Sequence, residues 1–373
     1  MKWLDRVLVS RYGPVIAGLV VGIIAPVLVR LGNPGNMGVC VACFTRDIAG
    51  ALGLHRAAVV QYMRPEIIGF VLGSMVAALV HREWRPSGGS SPLIRFFLGL
   101  FSSIGALVFL GCPWRAYLRL GGGDWNALPG IAGLVIGIAI GVFFLTRGYS
   151  LGRSRPASKA SGLLMPLTMA LFLLLLVVAP QFQRTAEGDP AGPIFFSASG
   201  PGSMAAPIVI SLAAGLLIGY VAQRTRFCTV GAFRDVLLIR DAHLLRGVVA
   251  LVVAAFATNL ALGQFQPGFA EQPVAHTNAL WNLGGMVLAG LAFTLAGGCP
   301  GRQVFMSGEG DSDAAIFVLG MIVGAAVAHN LNLASSAAGP TPYGPVAVVV
   351  GILFCVGLGL TTRVDSGNVT IGG

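Results

Sequence analysis

The sequence predicts an all-α polytopic membrane protein, an inverted repeat of about 5+5 spans with re-entrant half-helices around an hourglass-shaped path. Three observations carry this: too few charges for a soluble core, ten apolar runs of near-membrane length, and motifs that recur half a chain apart. Of the 373 residues, 55% are hydrophobic and 10% charged, where a soluble chain carries about 25% charged residues. Lipid must be the solvent for much of the surface. That excludes a secreted disulfide scaffold, a nucleic-acid binder and a soluble enzyme.

A helix crosses the hydrocarbon core with about 20 apolar residues. In the first half such runs fall at Pro14–Val29, Ile67–Val80, Phe96–Gly111, Pro129–Thr146 and Leu163–Pro180. In the second they fall at Ala206–Ala222, Val248–Phe265, Leu283–Gly298, Ala314–Leu331 and Pro345–Leu360. Lys2, Arg6 and Arg11 precede the first run in the manner of a signal peptide. The run is long, however, and ends on Arg30 without a small-x-small cleavage site, so it reads as a span. The one linker-like stretch is Gln181–Met204, rich in Gly, Pro and Ser. With the N-terminus inside, 17 of the 24 Lys and Arg residues lie on the inner side. The positive-inside rule then places both termini in the cytoplasm and the protein in the inner membrane. The net charge of +10 is thereby an orientation signal and calls for no nucleic acid.

Internal repetition is the most informative feature. Cys40-Val-Ala-Cys-Phe-Thr-Arg46-Asp47 and Cys228-Thr-Val-Gly-Ala-Phe-Arg234-Asp235 share C-x5-R-D, displaced by 188 residues. Gly111-Cys112-Pro113-Trp-Arg115 and Gly298-Cys299-Pro300-Gly-Arg302 open a second shared pattern, G-C-P-x-R-x5-G-x-G-D, displaced by 187. The repeats are expected at 1–190 and 191–373. Five spans per copy is odd, so the second copy enters the bilayer upside down, an arrangement that places binding sites near the midplane. Cys40–Leu54 and Cys112–Leu128 are too short and too polar to span and read as re-entrant.

Charged residues at membrane depth are expensive and do not face lipid. Arg46 with Asp47, and Arg234 with Asp235, either hold the re-entrant turn by pairing or leave the arginines as anion attractors. Arg115 and Arg302 have no adjacent carboxylate, so an electropositive role is more open to them. Cys355 is expected to be a packing residue. Cys40, Cys112, Cys228 and Cys299 occupy matched places in both copies, and soft, polarisable thiols in a row suit a soft sulfur- or selenium-bearing solute. Half-helix N-termini favour an anion, and Gly111 and Gly298 allow close backbone approach. Cys40-Val-Ala-Cys43 is a C-x-x-C that suggests metal or redox exchange. Zinc needs more ligands than this pair supplies, and the counterpart of Cys43 is Gly231, so no metal or cofactor is expected. The five histidines form no ligand spacing, and His329-Asn330 reads as a packed interface pair.

The stretches Arg226-Phe-Cys228-Thr-Val-Gly-Ala-Phe-Arg-Asp235 and Gly297-Gly-Cys299-Pro-Gly-Arg302 resemble the YeeE/YedE sulfur-transport membrane proteins. Gly35-Asn-Met-Gly-Val-Cys40-Val-Ala-Cys43-Phe-Thr-Arg-Asp47 is similar to the branch described as YedE-like putative selenium transporters. The resemblance implies a transporter rather than an enzyme. Its solute is thiosulfate or a selenium compound such as selenite, held by thiol hydrogen bonds at Cys112, Cys299, Cys40 and Cys228. It also implies a small TusA/SirA-like sulfur-carrier partner on the cytoplasmic side. The chain departs from the thiosulfate branch at Cys43 and in its longer loops. The competing expectation is a membrane thiol oxidoreductase or sulfurtransferase that cycles Cys40 and Cys43.

Overall fold

The structure, a computed structural model, describes residues 2–178 and 192–363, with the side chains of residues 2–4 left aside. The expected repeat boundary at 190 and 191 lies outside these residues. The first half holds α1 (Lys2–Val9), α2 (Gly13–Arg30), α3 (Val41–Ala51), α4 (Pro65–Val80), α5 (Pro92–Phe109), α6 (Pro113–Gly121), α7 (Ala127–Thr146) and α8 (Lys159–Val178). The second holds α9 (Ile208–Thr225), α10 (Thr229–Ile239), α11 (His243–Ala261), α12 (Ala279–Ala296), α13 (Pro300–Gly308), α14 (Ser312–Asn330) and α15 (Gly344–Thr361). Ser87–Gly88 and Arg155–Pro156 form a minimal antiparallel pair.

Among the described residues, nine helical stretches are long and apolar enough to cross a membrane, and three of them take in α6, α10 or α13. The protein is therefore a multi-pass α-helical membrane protein. The tenth expected span is α4, at 16 residues. It starts at Pro65, whose fixed φ and missing N–H suit a first helical position, and it ends at His81. The long helices carry apolar side chains on nearly every face, as segments between protein and lipid require.

Packing partners persist when the halves are exchanged. Helix α2 lies on α11 and α9 on α4, while α7 lies on α12 and α14 on α5. The short helices follow suit, with α6 on α11 and α13 on α4. Two backbones approach closely because glycine lies at the crossing, the usual device where lipid offers no hydrophobic drive between helices. A Cβ on Gly133 would lie 2.2 Å from the Leu283 carbonyl oxygen, and one on Gly320 would lie 2.1 Å from that of Phe96. The same holds one turn on, for Gly137 against Val287 at 2.2 Å and Gly324 against Leu100 at 2.5 Å. All four positions on each side are related by the 187-residue displacement of the cysteine motif. The correspondence weakens at the last helix of each half: α8 lies mainly on α4 and α13 and α15 mainly on α12 and α5, although α8 with α14 and α15 with α7 still match.

Gly137→Ala and Gly324→Ala are therefore expected to destabilise the purified protein by similar amounts, about 1–3 kcal/mol each from overpacking against backbone. Thermal unfolding in detergent checks this, and two unshifted midpoints would contradict the crossings described.

Candidate functional site

Each of the four short helices α3, α6, α10 and α13 begins immediately after a cysteine. A helix start leaves N–H groups unpaired, and a buried start must find acceptors for them. Cys40 Sγ accepts from Cys43 N–H at 3.3 Å, Cys228 Sγ from Gly231 N–H at 3.2 Å, and Cys299 Sγ from Arg302 N–H at 3.3 Å. Cys112 makes no such cap. Its Sγ lies 3.7 Å from Cys40 Sγ instead. In the other half, Cys299 N–H donates to Cys228 Sγ at 3.3 Å. The four thiols thus gather into two pairs, each joining both motifs of one half. Pro113 and Pro300 open α6 and α13 without an N–H to satisfy. The breaks before them are equivalent too: α5 ends at left-handed Leu110 (φ 64°) and α12 at left-handed Gly297 (φ 92°).

Aromatic rings pack around Trp114, two residues after Cys112, and reach Phe227, the residue before Cys228. The Trp114 ring centre lies 6.0 Å from Phe70 and 5.9 Å from both Phe227 and Phe305. Trp114 itself is wholly buried.

Surrounding charges differ sharply between the halves. Arg46 Nη2 pairs with Asp47 at 2.6 Å, and Arg64 Nε takes the other carboxylate oxygen at 2.7 Å, all three residues being buried. Arg64 also donates to the Met204 and Pro201 carbonyls, which ties this cluster to the segment before α9. Arg115 is fully buried with no carboxylate partner among the described residues. Its guanidinium donates to the carbonyls of Asn36 (3.2 Å), Pro273 and Val274 (3.1 Å each) and Leu110. It also approaches Cys43 Sγ at 3.9 Å. Arg119 pairs with Asp124 at 2.6 Å.

The second half is open where the first is closed. Arg234 pairs with Asp235 at 2.8 Å, and Arg302 with Glu309 at 2.9 Å. Arg302, which has no neighbouring carboxylate in sequence, finds one seven residues on. Arg226 joins Glu83 at 2.8 Å and Glu309 at 2.6 Å. Of these groups, Glu83, Arg226, Arg234, Asp235 and Arg302 rim a cavity of about 430 Å³ that reaches Cys228. Cys228 is 6% exposed, while Cys40, Cys112 and Cys299 are at 0%. Burial alone would raise the Glu83 carboxyl, but hydrogen bonds from Arg224 and Gln223 outweigh it and hold it below its ordinary value.

Several supporting residues were not legible in the sequence. His55 Nε2–H donates to the Arg46 carbonyl (3.0 Å) and its Nδ1 accepts from Ala57 N–H (3.3 Å). His276 repeats the arrangement, with Nε2–H to the Val108 carbonyl (2.8 Å) and Nδ1 from Asn278 N–H (3.3 Å). The neutral His55 straps its loop to α3, the helix that Cys40 precedes, and the neutral His276 straps its loop to the end of α5, just before Cys112. The only advance signal was a histidine in each of two loops. His329 does lie at a packed contact, its ring 4.6 Å from that of His55, and Asn330 donates to the Leu54 carbonyl. Among the described residues no three His, Cys, Asp or Glu side chains come together as a metal site would require.

The site belongs to a multi-pass membrane protein whose broken helices present paired thiols inside the fold. Residues 224–361 match the family described as sulphur transport. The chain is 36% identical over 99 residues to the thiosulfate transporter TsuA of Spirochaeta thermophila, covering 26% of this chain and 29% of that one. It is 30% identical over 103 residues to TsuA of Escherichia coli, covering 28% and 29%. An uncharacterized protein of Methanocaldococcus jannaschii is 29% identical over 103 residues, which take in 25% of this chain and 98% of that protein. The chain spans under a third of the length of the two transporters in these matches. The likeness to the sulphur-transport family thus lies within the second half of the chain, at residues 224–361.

Burial holds both His55 and His276 below the ordinary value of 6.5. The unfolded chain therefore takes up protons before the folded one does, and stability falls as pH drops below about 6.5. Protonation at Nδ1 would also remove the accepted N–H bond. Thermal midpoints are expected to decline from pH 7 toward about pH 5. They should decline less in His55→Gln/His276→Gln, and an identical slope in both proteins would contradict the strap assignment.

Proposed function

We propose that the chain is an inner-membrane importer of a soft sulfur- or selenium-bearing anion, thiosulfate first and a selenium compound such as selenite second. The observation that carries this reading is the gathering of four thiols, each at a buried helix start, into two matched pairs. Such a place offers an anion free N–H groups and positive helix ends, together with polarisable sulfur. The names of the two transporter relatives support thiosulfate as the solute.

In this reading the two copies enter the bilayer from opposite faces, with both termini cytoplasmic. The cavity at Cys228 is then the cytoplasmic vestibule, and its Arg226, Arg234 and Arg302 draw the anion through. A small sulfur-carrier protein of the TusA/SirA kind would dock at this rim. On the outer side, Arg115 gripped by the Pro273 and Val274 carbonyls closes the way to Cys40 and Cys112. The conformation described is the inward-facing one, and the loop at 273–274 moves when the outer side opens.

Uptake of labelled thiosulfate and labelled selenite by cells producing each variant tests the proposal. Cys112→Ala and Cys299→Ala are expected to lower uptake at least about tenfold, which corresponds to about 1.4 kcal/mol, with membrane insertion unchanged. Unimpaired uptake of both solutes by both variants refutes it. Cys43→Ser is expected to transport. The thiol-exchange alternative gains support from the closeness of Cys43 to Cys40, and an inactive Cys43→Ser with an oxidant-formed Cys40–Cys43 disulfide would favour it.

A further inference from the structure

The duplication loses its symmetry where the two thiol pairs meet. Counting 187 residues on from Trp114 and Tyr117 gives Gly301 and Val304. A Cβ added at Gly301 would lie 3.1–3.2 Å from three indole atoms, Nε1 among them. The bulk of one copy therefore occupies the space that the other leaves empty, and only the first copy has polar groups at these places.

Trp114 and Tyr117 stand three apart on α6, hence on one face of it. Both are buried, at 0% and 2% exposure. Among the described residues, neither Trp114 Nε1–H nor Tyr117 O–H has a hydrogen-bond partner. Tyr and Trp normally find a partner when buried, and an orphaned donor in an apolar interior is costly and calls for an explanation. Tyr117 lies on α6, the helix that Cys112 precedes, and α6 packs on α10, the helix that Cys228 precedes. The indole rests on Phe227, the residue before Cys228. Both free donors therefore stand where α6 meets cysteine-led helices of the second half.

We propose that Tyr117 O–H and Trp114 Nε1–H bind the oxygen atoms of the transported anion midway along its path. The thiols on either side take its soft sulfur or selenium atom. This division of labour selects an oxygen-bearing chalcogen anion over a soft anion without acceptor oxygens. The inference rests on the transport reading above and names the part of the solute that the thiols do not recognise.

Calorimetric titration of the purified full chain in detergent with thiosulfate, and separately with selenite, tests it without relying on flux. Tyr117→Phe keeps the ring and removes only the hydroxyl. It is expected to weaken thiosulfate binding about tenfold or more, the loss of one hydrogen bond to a charged acceptor, with the melting temperature of the unliganded protein unchanged. Trp114→Phe is expected to behave similarly, and should it fail to fold, Tyr117→Phe decides alone. Tyr117→Phe binding within twofold of wild type, while Cys112→Ala loses affinity, overturns the inference and leaves the thiol path standing. Loss in Tyr117→Phe with full affinity in Cys112→Ala and Cys299→Ala supports the donors and removes the thiols. A wild-type protein that binds neither anion overturns both.

Discussion

The structure depends on four helix starts that lie buried inside the protein. Their first N–H groups have no helical carbonyl to pair with, and an unpaired backbone group buried away from water costs several kcal/mol. Cysteine answers this need in an unusual way. It is apolar enough to be buried without penalty and yet carries a weak acceptor. Cys40, Cys228 and Cys299 each cap the helix they precede, while Cys112 turns to its partner Cys40. A serine or aspartate would cap more strongly, and would hold those N–H groups against an incoming anion. A weak cap can yield to one, which links the stability of the broken helices to the passage proposed through them.

Charge placement complements this arrangement. In the first half the arginines are consumed by structure: Arg46 and Arg64 share Asp47, Arg119 holds Asp124, and Arg115 is enclosed by carbonyls. In the second half, Arg226, Arg234 and Arg302 are also paired, but they rim an open cavity. Surface pairs of that kind are individually weak and exchangeable. The same sequence motif thus serves as a sealed cluster on one side and a polar mouth on the other, because the surrounding loops differ.

Much of the architecture could be read from the chain because lipid and duplication both leave marks on local sequence. Spans follow from composition, and the repeat follows from residues such as Cys112 and Cys299 that recur at a fixed displacement. What could not be read depends on contacts between distant segments. Nothing local to Cys40 and Cys112 indicates that the two motifs of one half would meet thiol to thiol. Arg302 gave no hint of Glu309, nor Arg46 of the second arginine, Arg64, on its carboxylate. The loop histidines were dismissed for want of ligand spacing, and their work is to hold backbone carbonyls. Trp114 aligns with Gly301 in the two motifs, but that the indole packs against that glycine is a contact between distant segments and could not be read from the alignment.

The central claim, that a soft anion threads between the two thiol pairs, is tested most directly by anomalous diffraction from crystals of the protein grown with selenite. A selenium peak within contact distance of Cys112 or Cys299, in the space beside Trp114 and Tyr117, is the result expected. Selenium found only in the arginine-rimmed cavity or on the protein surface, with that space impassable and closed off by packed rings, would contradict the account.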